Sequence, residues 1–180
     1  LDVLATGDPG WAIDVDDDQV YWNIAQWEGA VMKRSLAGGA PVEIAMEGNS
    51  AFDLAVDPTG LYWGHSLMGR LIKAPHGGTP IVLDPGTEGG SLRALTLDST
   101  HVYYTTDDQI LRVPKSGGTV TPLYSTTLPR LWGIAVDETS IYFSTFGDPG
   151  GIWKMPRDGG TATEIVPDQS LVPYLVIDSA

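Results

Sequence analysis

Asp53-Leu54-Ala55-Val56-Asp57-Pro58-Thr59-Gly60-Leu61-Tyr62-Trp63 reads as two short apolar segments joined by a tight turn. Pro at the second and Gly at the fourth position of Asp57–Gly60 suit a type I turn. Short apolar runs bounded by turn residues read as buried strands. The same phrase returns along the chain. Ile13-Asp14-Val15-Asp16 leads to Val20-Tyr21-Trp22, Leu95-Thr96-Leu97-Asp98 to Val102-Tyr103-Tyr104, and Ile134-Ala135-Val136-Asp137 to Ile141-Tyr142-Phe143. A further copy starts at Leu175-Val176-Ile177-Asp178. The repeated aspartate falls at 16, 57, 98, 137 and 178, and in the four copies that carry it the tyrosine follows five residues later.

A period near forty residues built from short strands is the signature of a β-propeller blade. In the first copy the expected strands are Trp11–Val15, Val20–Ile24, Val31–Leu36 and Val42–Met46. Glycine pairs recur at Gly38-Gly39, Gly77-Gly78, Gly117-Gly118 and Gly159-Gly160, where a twisted hairpin needs positive φ at its turn residues. A basic residue precedes each pair: Lys33, Lys73, Arg112 and Lys154. Pro75, Pro114 and Pro156 belong at strand ends or outer edges, because proline donates no ladder hydrogen bond. No stretch carries the period of an amphipathic helix.

The expected fold is therefore all-β: a β-propeller of four complete four-stranded blades with one extra strand at each end. The repeats fall at about 11–50, 51–91, 92–130 and 131–171, with 1–6 and 172–180 as terminal strands of an incomplete blade. Unpaired strand edges are a pairing hazard. The expectation is thus a partial propeller, a piece or processed form of a longer chain, that completes its ring with its own remainder or with another copy of itself.

Ten basic residues against 23 acidic ones give a formal net charge of −13. Such a surface repels phosphate backbones and anionic lipid, so neither nucleic acid nor membrane insertion is expected. The chain has no cysteine, which excludes disulfides, thiol catalysis and cysteine-ligated zinc.

The run Asp53–Trp63 resembles the YWTD and NHL-type propeller repeats, and Leu111-Arg112-Val113-Pro114-Lys115-Ser116-Gly117-Gly118-Thr119 resembles the second half of a related TolB-like bacterial repeat. The resemblance spans essentially the whole chain. Of the YWTD tetrad only Tyr-Trp is kept, at Tyr21-Trp22 and Tyr62-Trp63. The resemblance implies a binding or scaffold role in an extracellular, periplasmic or cell-envelope setting. It also leaves a minority alternative, a channel-centred hydrolase of the lactonase or strictosidine-synthase-like type. Asp14 and Asp53, the acids inside first-strand segments, are the candidates for that chemistry, although no site motif of such enzymes matches.

The aspartate ladder reads as turn-capping, each carboxylate accepting backbone N–H groups, and the tyrosines read as packing between blades. His65, His76 and His101 fall on different rims, so no metal site, cofactor or catalytic residue is assigned. Positions that break the repeat carry the binding expectation. Trp11, Phe52, Arg93 and Trp132 stand five residues before the ladder aspartates, with Tyr174 beside the corresponding Pro173. At the start of the innermost strand these would grip a small molecule, glycan or peptide by stacking and charge. The variable loops on the same face add Trp27, His65, Met68, Asp107 and Asp148 as contacts.

Overall fold

The computed structural model describes residues 10–24, 29–46, 51–65, 68–87, 90–127, 130–169 and 171–178. Sixteen strands and no helix occur among them. They form two compact units, divided at Gly89/Gly90. The expected terminal strand at 1–6 and the loop residue Trp27 lie outside the described residues.

The first unit holds two four-stranded antiparallel sheets. One comprises β1 (Ile13–Val15), β2 (Gln19–Asn23), β3 (Ala30–Ser35) and β4 (Val42–Met46). The other comprises β5 (Ala51–Asp57), β6 (Gly60–His65), β7 (Leu71–Ala74) and β8 (Ile81–Asp84). The second unit repeats the arrangement. β9 (Ala94–Leu97), β10 (His101–Thr105), β11 (Gln109–Pro114) and β12 (Thr121–Ser125) form its first sheet. β13 (Leu131–Val136), β14 (Ser140–Thr145), β15 (Gly151–Pro156) and β16 (Thr163–Pro167) form its second. In every sheet sequence neighbours pair with each other, as in a propeller blade.

Each unit buries a cluster drawn from the first, second and third strands of its sheets. In the first, Tyr21, Val31, Leu54, Leu61, Trp63 and Ile72 make one buried cluster. In the second, Tyr103, Ile110, Leu131, Ile134, Ile141 and Phe143 do the same. Trp63 and Phe143 are fully buried, each worth roughly 2–3 kcal/mol of transfer free energy.

Register follows the repeat. Tyr21, Tyr62, Tyr103 and Tyr142 face Lys33, Lys73, Arg112 and Lys154 across the second-to-third strand ladder. Lys73, Arg112 and Lys154 cover the ring they face, with Lys73 Nζ 5.2 Å from the Tyr62 centroid, the Arg112 guanidinium carbon 5.9 Å from that of Tyr103 and Lys154 Nζ 5.1 Å from that of Tyr142.

Two expectations change in detail. Both glycines of a pair take positive φ at Gly38-Gly39, Gly117-Gly118 and Gly159-Gly160, but only Gly77 does so in the second blade. There the turn from Pro75 closes on the Gly78 N–H, whereas the turn from Pro114 closes on Gly117, so this hairpin is one residue shorter. The expected inner strand at Leu175–Asp178 is not hydrogen-bonded into a ladder. A strand needs a lateral partner, and no described strand pairs with it.

Candidate functional site

The aspartate ladder is a set of braces. Asp16 Oδ1 accepts the N–H groups of Asp18 and Gln19, at 2.9 and 2.7 Å, and Oδ2 accepts the Tyr21 hydroxyl at 2.8 Å. Asp98 accepts from the Thr100 and His101 N–H groups and, at 2.8 Å, from the Tyr103 hydroxyl. Asp137 repeats this with Thr139, Ser140 and Tyr142. In the second blade the Thr59 hydroxyl stands between Asp57, at 2.7 Å, and the Tyr62 hydroxyl, at 2.6 Å. The constant gap of five is the distance from a turn carboxylate to a phenol two residues into the next strand. Burial works against the Asp98 charge, but the Thr100 and His101 N–H groups and the Tyr103 hydroxyl outweigh it and hold the carboxyl well below its usual range.

A second device joins neighbouring blades. Asn23 Oδ1 accepts the N–H groups of Trp11 and Ala12, at 3.0 and 2.8 Å, while its Nδ2 donates to the Ala51 carbonyl. Thr105 Oγ1 accepts from the Ala94 N–H and donates to the Trp132 carbonyl at 2.7 Å. Ser144 Oγ accepts from the Gly133 N–H at 2.9 Å and donates to the Val172 carbonyl. Asn23, Thr105 and Ser144 are fully buried, and each keeps its polar atoms satisfied. All three stand seven residues after the ladder aspartate, where the second blade has Gly64.

In the second unit the expected contacts Arg93, Asp107 and Trp132 come together. The Arg93 Nε and Nη2 atoms lie 2.8 and 2.7 Å from Asp107 Oδ1. Its guanidinium carbon is 5.5 Å from the Trp132 ring centroid. The Asp107 carbonyl accepts the Leu131 N–H, which ties the loop to β13. Trp132 sits in the bulge between Leu131 and Ile134, where the ladder shifts register, and bulges re-aim side chains. Phe146 joins at 5.1 Å from Trp132, and Arg130 Nε stands 3.9 Å from Asp107 Oδ1. Neither Phe146 nor Arg130 was singled out in the sequence. Phe146 follows β14 directly, and that placement beside the inner-strand start was the available signal.

In the first unit Trp11 and Phe52 meet edge to face at 6.1 Å, and Phe52 occupies the matching bulge between Ala51 and Leu54. Trp11, Met68 and Tyr174 are exposed, whereas His65 is buried at the end of β6. Asp148 is exposed in the loop after β14. Of the acids considered for catalysis, Asp14 accepts the Val15 N–H at 2.8 Å and, through Oδ2, the Val56 N–H at 2.7 Å. Asp53 accepts the Leu54 N–H at 3.0 Å. Asp14 thus links the inner strands of the first two blades. Among the described residues no group of three or more histidine, aspartate or glutamate side chains is placed to hold a metal ion. No helix of the described residues is long and apolar enough to cross a membrane.

No family model and no curated protein matches the chain. Solved structures do. The nidogen/laminin complex is 20% identical with a TM-score of 0.66, over 84% of this chain and 62% of that one. A streptogramin B lyase is 12% identical with a TM-score of 0.74, over 92% and 57%. The extracellular domain of a putative hybrid two-component system, BT4673 from B. thetaiotaomicron, is 12% identical with a TM-score of 0.70, over 91% and 23%. The chain therefore spans about three fifths or less of these relatives' lengths. The likeness shows the fold: this is an all-β repeat protein built of propeller blades.

Proposed function

We propose that the chain is a non-catalytic binding module of the YWTD/NHL-like propeller type, acting outside the cytoplasm. Its recognition surface is the Arg93–Asp107–Trp132–Phe146 cluster. One observation carries this reading. The Arg93 guanidinium is held by Asp107 against the face of Trp132, and Phe146, itself 40% exposed, lies against the same indole. A charge-balanced aromatic surface on a rigid sheet suits the apolar faces and hydroxyls of a glycan or the side chains of a peptide. The extracellular assignment draws on the BT4673 neighbour, whose matched domain is extracellular. The hydrolase reading has less support, because Asp14 and Asp53 are both engaged by backbone N–H groups.

Screening glycans and peptides against the unmodified chain and the Arg93→Ala and Trp132→Ala variants tests the proposal. The expected result is a ligand whose affinity falls at least tenfold in each variant. Affinity unchanged in both variants removes this surface from consideration.

A second reading, self-association, draws on one further observation. Ile13 is 72% exposed, whereas Leu54 and Ile134 at the same step of the repeat are 5% and 4% exposed. An apolar blade flank left uncovered suits another blade of the same kind, supplied by a second copy. Light scattering distinguishes a dimer from a monomer, and a monomer that persists at high concentration rejects this second reading.

A further inference from the structure

Lys33 departs from the pattern that the other recurrent cations share. Lys73, Arg112 and Lys154 lie over the tyrosines they face, and Arg112 Nη1 also pairs with Asp158 Oδ1 at 3.0 Å. Lys33 faces Tyr21 across the ladder. Among the described residues, however, its ammonium has no ring contact, ion pair or hydrogen bond. It stands on the wall of a cavity of about 300 Å³ between the first two blades, at the lower end of the size range of small-molecule sites.

The second unit fills the equivalent space from within. Met155 faces Ile141 across the ladder, is 1% exposed and packs with Tyr103, Ile141 and Leu123. Arg157, directly after β15, crosses to the neighbouring blade, where its Nε donates to the Tyr103 hydroxyl at 2.9 Å and its Nη2 pairs with Asp98 Oδ2. In the first unit each of these side chains is shortened or turned away. Ala74 stands opposite Leu61 where Met155 stands opposite Ile141. His76 follows Pro75 as Arg157 follows Pro156, and its Nε2 lies 2.7 Å from the Asp57 carbonyl of its own blade. Gly77 stands at the step of Asp158, so the carboxylate that serves Arg112 has no counterpart for Lys33. The cavity is lined by Tyr21, Leu61 and Ala74, all buried, and by the half-buried Ile44. What this corner lacks, relative to its twin, is an apolar side chain and a carboxylate.

We infer that the cavity binds a short-chain aliphatic monocarboxylate, its hydrocarbon end against Ala74, Leu61 and Ile44 and its carboxylate paired with the Lys33 ammonium. The apolar part takes the place of Met155 and the charge that of Asp158. A cation beside an apolar wall selects a ligand with one charged end. Gln19 adds an amide donor to the same wall. The exposed Glu43 also lines the cavity and opposes a second negative charge, which disfavours dicarboxylates. This site belongs to the first unit and stands or falls independently of the Arg93–Trp132 surface.

The test titrates the whole chain with sodium butyrate at a constant ionic strength of about 0.15 M, where the net charge of −13 is largely screened. Backbone amide resonances report binding, and butyramide serves as the neutral isostere. Saturable shifts at Lys33, Leu61 and Ala74, about tenfold weaker with butyramide, are expected. Lys33→Gln should remove the preference for butyrate over butyramide. Ala74→Met refills the cavity as Met155 does and should abolish the response to both while the protein stays folded. Trp132→Ala should leave butyrate binding unchanged, which separates this site from the other surface. The inference is overturned by no saturable response, an equal response to butyramide, an undiminished preference in Lys33→Gln, undiminished binding in folded Ala74→Met, or loss of binding in Trp132→Ala.

Discussion

Arg157 and His76 hold the same step of the repeat, and the corners they serve have diverged. In the second unit a guanidinium bridges two blades through Asp98 and Tyr103. In the first unit His76 turns to a carbonyl of its own blade and leaves a cleft beside Asp16. The scaffold is common to both: a carboxylate caps its own turn and receives the hydroxyl of the tyrosine five residues on. The same carboxylate–phenol pair is therefore bridged between blades at one corner and left beside an open cleft at the other, and the side chain at this step of the repeat makes the difference.

Substitutions can break this contrast. The largest effect is expected at Asp98. Asp98→Ala removes the acceptor for two N–H groups and a hydroxyl and leaves Arg157 without its partner. Denaturant unfolding should show a loss of roughly 3 kcal/mol. Asp16→Ala, at the more open corner, should cost only about 1 kcal/mol. Equal losses would mean that the bridging guanidinium contributes nothing.

Arg157→His transplants the first corner's residue into the second. Thermal or chemical unfolding should register a destabilisation of roughly 1–2 kcal/mol, since the Asp98 and Tyr103 oxygens lose a charged donor. The reverse exchange, His76→Arg, should stabilise by at most about 1 kcal/mol, because this corner is more exposed.

Acid sharpens the same contrast. Asp98 and Asp16 both titrate below the ordinary carboxylate value, held there by N–H and tyrosine hydroxyl donors against the opposing effect of burial. A carboxylate with a lowered folded pKa contributes stability that is complete above its unfolded pKa, about 4, and is lost as pH falls through the folded value. Stability should therefore decline below pH 4. Because the Asp98 shift is the large one, replacing Asp98 by Asn should flatten that decline more than replacing Asp16 by Asn. Parallel pH profiles of the two variants would contradict this.

Much of the architecture was legible in the sequence because it is periodic. The first-blade strands expected at Trp11–Val15, Val20–Ile24, Val31–Leu36 and Val42–Met46 coincide closely with β1 to β4. Turn chemistry identified the aspartates as caps. The tyrosine hydroxyl as their partner was not read, because spacing alone does not show that a phenol on the next strand reaches back to the turn. The recurrent basic residue was visible as a pattern, but its place over the tyrosine ring needs cross-strand register. Asn23, Thr105 and Ser144 were missed for a different reason: an amide in one blade and hydroxyls in two others do one task, bridging an inner-strand N–H to a carbonyl of the next segment. A change of residue type hides such equivalence.

The candidate site was legible in part. Arg93, Trp132 and Asp107 were picked out because they break the repeat, and the fold brings them together. Arg157 escaped notice because its partners lie 54 and 59 residues away.

Paired double-mutant cycles test the central claim most directly: Asp98→Asn with Arg157→Ala in one corner, and Asp16→Asn with His76→Ala in the other. The account predicts a coupling of at least about 1 kcal/mol for Asp98–Arg157 and less than about 0.5 kcal/mol for Asp16–His76. Equal couplings, or a larger one at Asp16–His76, would contradict it.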